Sequence, residues 1–195
     1  MKRTVWYPAI VLCFGLNCIA AHAQQQTTPQ EKPTIASVLD RQLSIVESEF
    51  VGAAEAMPEE KYSFAPTAGE FKGVRTFAEQ VKHVATANHI FFGAILGEKP
   101  PAGGENGPDA IKTKDEILKY LRDSFALGHR AIATITAENV VTPVKNPPNP
   151  VLNTPLALAS IGCWHSFDHY GQMVEYLRMN GIVPPASRPR PKPAN

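Results

Sequence analysis

Apolar side chains return every three or four residues in four stretches of this chain, the period of helices that bury one face. The first stretch runs from about Thr34 to Met57. Ile35, Leu39, Leu43, Val46, Phe50 and Met57 share one side of it, and Pro58 ends it. The second begins at Thr76, where Thr76 and Glu79 form a T-x-x-E capping box. Phe77, Val81, Val84, Phe91, Phe92 and Ile95 make its apolar face, and Gly97 is its stop. The third opens on a second such box, Thr113 and Glu116, followed by Ile117, Leu121, Phe125, Ile132 and Ile135. The fourth starts at Thr154, with Pro155 in the first helical position, and runs to Asn180-Gly181. The links Glu98–Lys112 and Asn139–Asn153 are irregular, the first rich in Gly and Pro, the second holding Asn146-Pro147-Pro148-Asn149-Pro150. Neither an internal repeat nor a strand-like alternation is present. The pattern predicts an all-α protein, a four-helix bundle over residues 34–183.

The two ends read differently. Lys2 and Arg3 precede an apolar run from about Val5 to Ala20, then Ala21-His22-Ala23, then Gln24-Gln25-Gln26. This is the layout of a secretory signal peptide over residues 1–23. The run is short for a membrane span, so cleavage is expected rather than a retained anchor, with no stable span afterwards. Gly15-Leu16-Asn17 before Cys18 departs from a lipoprotein box. Residues 24–33 are polar and expected to be flexible. Residues 184–195 form a Pro-rich, basic tail, expected to be disordered. The export signal places the protein in the periplasm or outside the cell.

Composition sharpens this. Hydrophobic residues make up 44% and charged residues 19%, the balance of a globular body. Cleavage after Ala23 would leave 17 basic against 18 acidic residues, a net charge of −1. Nothing in that balance points to nucleic acid, and no nucleic-acid partner is expected. Cys13 and Cys18 leave with the signal, so Cys163 has no partner for an internal disulfide. The mature chain must be stabilised by its core.

The chemistry sits in the segment WHSFDHY. His165 and His169 are four residues apart on the fourth helix, about 40° apart around its axis. Leu158, Ile161, Gln172, Met173 and Tyr176 lie on or near that face, so the pair points inward. Two buried imidazoles each need a partner for two ring nitrogens, and an unsatisfied polar group costs about 1–3 kcal/mol. A shared metal ion eases that demand. Spacing alone fits two core histidines bonded to each other or to water equally well. On the second helix, His83 lies at the edge of the apolar face beside Ala87, Ile90 and Ala94. His89 is about 120° away, beside Lys82 and Thr86, and is expected to be a solvated surface residue. His83 is therefore the better third ligand. His129 is expected to be structural or exposed. Asp168 is either a partner behind the ligands or a surface carboxylate, with the surface expected. Gln172 and Tyr176 either hydrogen-bond within the site or pack in the core. Cys163 reads as an inert structural thiol and Glu79 as a cap. Three histidines leave a coordination position open, as catalytic metal sites do.

The stretches TFAEQVKHVATANHIFFGAILGE (76–98) and HSFDHYGQMVEYLRMNGIVPPAS (165–187) resemble the DinB family of four-helix-bundle metalloproteins. The resemblance covers roughly Thr34 to Ser187. It implies one metal-binding histidine on the second helix and two on the last, here His83, His165 and His169. It also implies zinc or nickel as the divalent metal, and a homodimer. Characterised members include thiol-dependent transferases and isomerases. Their small thiols belong mainly to the cytoplasm, and the export signal sets this chain apart from them. Three functions follow as expectations. The first is an exported metal-dependent hydrolase or transferase acting on an unknown small molecule. The second is a non-enzymatic, stress-related bundle that binds a metal or ligand. The third is a structural bundle whose histidines meet no metal.

Overall fold

In the computed structural model, residues 32–189 are described. The expected signal peptide, most of the polar segment after it and the last residues of the tail lie outside them. Four helices form where the periodicity places them: α1 (Ile35–Ala56), α2 (Phe77–Leu96), α3 (Lys114–Ala133) and α4 (Pro155–Met179). No strand occurs among the described residues. The all-α four-helix bundle expected from the sequence is the fold observed.

Each helix starts on a threonine that satisfies free N–H groups. Thr76 and Glu79 cap α2 reciprocally, as do Thr113 and Glu116 on α3. At α1 the reciprocal partner of Thr34 is Ser37, a box the sequence pattern did not single out. Thr154 caps α4, with Pro155 next to it. The stops are equally local. Gly97 and Gly181 both have φ 73°, a left-handed conformation that glycine adopts without strain. Beyond each glycine, the N–H of Glu98 returns to the Gly93 carbonyl and that of Ile182 to Leu177. The end of α1 is closed from a distance. Lys114 Nζ donates to the carbonyls of Glu55 and Met57, and the Tyr62 hydroxyl donates to that of Ala54.

Around the bundle, α1 packs on α3 and α4, and α2 packs on the same two, so α1 and α2 lie diagonally opposite. Cross-helix contacts give the directions. Thr86, Asn88 and Phe92 of α2 meet Tyr120, Ser124 and Gly128 of α3, so α2 and α3 run parallel. Gln80, His83 and Phe92 meet Gln172, His165 and Gly162, so α4 runs antiparallel to α2. Asp40 and Glu55 of α1 meet His129 and Arg122 of α3, so that pair is antiparallel. Thus α1 and α4 run one way and α2 and α3 the other. A parallel neighbour obliges the α2–α3 link to travel back along a helix of about 30 Å. The link does so, with Pro100 beside Ile90 and Ala94, and Gly107 beside Lys82 and Thr86.

Phe50, Phe77, Phe92 and Phe125 are fully buried. Phe92 reaches from α2 into the space between α3 and α4. A Cβ built on Gly162 would lie 2.4 Å from its ring, and one on Gly128 would lie 3.0 Å away. Beside this packing is a buried polar contact of three helices: Ser166 Oγ donates to Asn88 Oδ1, and Asn88 Nδ2 to Ser124 Oγ. Ile35 is partly exposed rather than buried. Pro185–Ser187 form a 3-10 turn that packs on α1, with Pro185 against Gly52. This first part of the tail is folded, contrary to the expectation of disorder, because the Pro185 ring finds a seat at Gly52 on α1.

Candidate metal centre

The antiparallel pairing of α2 and α4 brings His83 opposite His165 and His169. Candidate ligand atoms of the three all lie within 4.8 Å of one another. His169 is buried and the other two are half-buried. The ring centroids are 4.6–5.1 Å apart, and Phe91 packs its ring against His165 edge-on.

Hydrogen bonds orient the rings. His83 Nδ1 lies 2.7 Å from the backbone carbonyl of Glu105, which can only accept, so that nitrogen carries the proton. Its Nε2 then presents a lone pair, 3.3 Å from His165 Nε2. His169 Nδ1 lies 2.6 Å from Gln80 Oε1. Gln80 is 2% exposed and passes the contact on to Gln172, which in turn donates to Asp168. His165 Nδ1 is buried with no partner. Burial pushes the pKa of His165 and of His169 down to about 4, helped by the neighbouring imidazoles. His83 is lowered as well, chiefly by burial. All three rings are therefore neutral near pH 7, the form that ligates a metal.

The residues fit a divalent ion on two counts. Imidazole nitrogens about 2.0–2.1 Å from one tetrahedral ion lie about 3.3 Å apart, the separation seen between His83 and His165. Two rings donate their other nitrogen to an oxygen acceptor, the usual support behind a ligating histidine. His165 differs, since its Nδ1 is buried without a partner and an ion held on Nε2 would not reach it. Arg75, Gln80, Glu105, Asn106, Asp109 and Gln172 line a cavity of about 510 Å³ that opens beside this cluster. It shares Gln80 and Glu105 with the immediate surroundings of His169 and His83. Arg75 holds the loop wall in place through Asn106 Oδ1 and Glu105 Oε2.

The other expectations sort clearly. His89 is not solvated. It is half-buried, stacked on Tyr120 with centroids 5.1 Å apart, and its Nε2 is buried without a partner. The helical angle was right, but parallel packing of α3 lays Tyr120 over that side of α2. His129 is structural, bonded to Asp40 and Glu47 of α1. Tyr176 is buried and donates to the Arg75 carbonyl rather than to a histidine. Cys163 is buried, with its thiol pushed up to about 11 by that burial. Glu79 is a cap. Asp168 is exposed, as expected, yet ends the hydrogen-bonded chain from His169. Sequence reasoning did not single out Gln80, Arg75 or the Glu105 carbonyl. Gln80 carried a signal, since it precedes His83 by three positions and shares its face. The carbonyl carried none, because any residue supplies one.

These features define a class: a helical bundle whose central histidines can hold a metal ion beside a polar cavity. The family model described as the DinB superfamily matches residues 42–173, and the chain belongs to that superfamily. No curated protein matches the chain.

Proposed function

We propose that this is an exported DinB-superfamily protein that holds one divalent ion, zinc or nickel, between His83, His165 and His169. We further infer a metal-dependent hydrolase or transferase reaction on a small polar molecule. The observation that carries the reading is the convergence of three neutral imidazoles, two of them pinned through Nδ1. When bound, the ion supplies an activated water or thiolate, or polarises a substrate group. The residues supply the rest. Arg75, Asn106, Asp109 and Gln172 offer polar contacts in a cavity of small-molecule size. Phe91 shields one side of His165. Export is supported by the segment before Gln24 and weighs toward water over a small thiol. Pairing of two copies, implied by the family, belongs to the same proposal, and sedimentation velocity tests it.

Metal content by mass spectrometry decides the first step. One ion per chain is expected in the mature protein and none in His165→Ala. No metal in either protein after reloading with zinc and nickel overturns the reading.

One observation favours a second function, a binding protein without turnover. The carboxylate of Glu105 is engaged by Arg75, and Asp168 reaches His169 only through two glutamines. Neither stands ready as a general base in this arrangement, and Asp109 in the cavity wall is the remaining carboxylate there. Hydrolysis and thiol-transfer screens on the metal-loaded protein separate the two. Turnover lost in each histidine variant supports the enzyme, and tight binding with no turnover supports the second function.

A further inference from the structure

A carboxylate accepts hydrogen bonds and donates none. At Asp168 this single fact fixes a direction. Gln172 and Asp168 are one turn apart on α4, and Gln172 Nε2 donates to Asp168 Oδ2 at 3.1 Å. The Gln172 amide must therefore turn its oxygen the other way. That oxygen accepts from Gln80 Nε2 of α2 at 2.8 Å, which turns Gln80 Oε1 toward α4 again. There it lies 2.6 Å from His169 Nδ1. An amide oxygen can only accept, so His169 must carry its proton on Nδ1. In a neutral imidazole the lone pair is then on Nε2, the nitrogen left for the histidine cluster. The chain runs α4 to α2 and back to α4, and every link has the same polarity.

We propose that Asp168, acting through Gln172 and Gln80, fixes the tautomer of His169 and so makes Nε2 the ligating nitrogen. Asp168, Gln172 and Gln80 are positioning residues, and none is required to touch a substrate. The proposal rests on the metal reading above for its purpose, but its first consequence is visible without metal.

Without the carboxylate, nothing sets the direction of Gln172, and the remaining restraint on Gln80 is its side-chain contact with Tyr176. Either amide can rotate by 180°, and a rotated Gln80 would present its NH₂ to His169 Nδ1. His169 would then hold its proton on Nε2, where it cannot ligate. Asp168→Asn tests this with little change of shape, because an asparagine both donates and accepts. Gln80→Glu tests the converse, because a carboxylate at position 80 accepts from Nδ1–H whatever lies beyond it.

The measurement is the His169 tautomer in metal-free protein, read from ¹⁵N chemical shifts, beside zinc affinity for the same set. Wild type is expected to show Nδ1–H alone. Asp168→Asn is expected to show a mixture with Nε2–H and weaker zinc binding. Adding Gln80→Glu to Asp168→Asn should restore Nδ1–H and recover affinity. Gln80→Leu should lose affinity by roughly 10–100-fold, the range for partners behind a metal ligand. Thermal melting of each variant confirms that it is folded. Asp168→Asn that keeps Nδ1–H alone overturns the proposal, as does a double variant that fails to restore it. A wild type that holds Nδ1–H yet takes up no zinc supports the relay and overturns only the metal reading.

Discussion

His129 shows how one side chain can tie two helices. Its ring nitrogens lie 2.6 Å from Asp40 Oδ1 and 3.0 Å from Glu47 Oε2, and only the charged imidazolium donates from both. Burial opposes that charge, but the two hydrogen bonds and the two carboxylate charges outweigh it and raise the pKa above its ordinary value. A raised folded-state pKa stabilises fully below the unfolded value of about 6.5, and the gain is lost as pH climbs through the folded value. The melting-temperature advantage of wild type over His129→Gln should therefore be largest near pH 6 and shrink by pH 9. An advantage that grows with pH would reject the charged clamp. His89 makes the opposite case. Its buried Nε2 has no partner while its ring stacks on Tyr120. His89→Phe keeps the stacking and removes the unmet polar atom, so it should leave thermal stability unchanged or raise it. A clear drop would mean that Nε2 has a role the stacking does not explain.

At the scale of elements, local and long-range determinants divide cleanly. Each helix starts at a threonine whose side chain accepts from the first turn, and Thr76→Ala should cost about 1 kcal/mol, measured by urea unfolding. Packing depends instead on where a side chain is absent. Phe92 occupies the room left by Gly128 and Gly162, and Gly162 is the closer. Alanine is the better helix former, yet the ring is held from both sides and cannot withdraw. Gly162→Ala should destabilise by about 1–3 kcal/mol, the usual range for overpacking. Equal or higher stability in that variant would show that the ring has another place to go.

For the whole molecule, the parallel run of α2 and α3 is the decisive feature. It forces the link between them back along α2, and so lays the Glu105 carbonyl on His83 and Asn106 on Arg75. Arg75 thereby couples the cavity wall to the histidine cluster. Arg75→Met should raise amide exchange in residues 98–112, leave the helices protected, and weaken metal binding. Unchanged exchange in that segment would show that the loop is held without the guanidinium.

Much of this was legible along the chain, because the relevant physics is local. Helix starts and stops depend on a threonine, a glutamate or a glycine within a few residues. The inward face of His165 and His169 depends only on helical rotation, and the same rotation preferred His83 over His89. Other features were decided by the tertiary structure. Which helices are neighbours and which run parallel arises from packing between segments far apart in sequence. Parallel α3 covers His89 with Tyr120, and the return loop reaches His83 through a main-chain oxygen that carries no side-chain signature. Asp168 belongs to both accounts. Its exposed position follows from its angle on α4, but its link to His169 passes through Gln80 on another helix, and only the folded pair of α2 and α4 makes that connection.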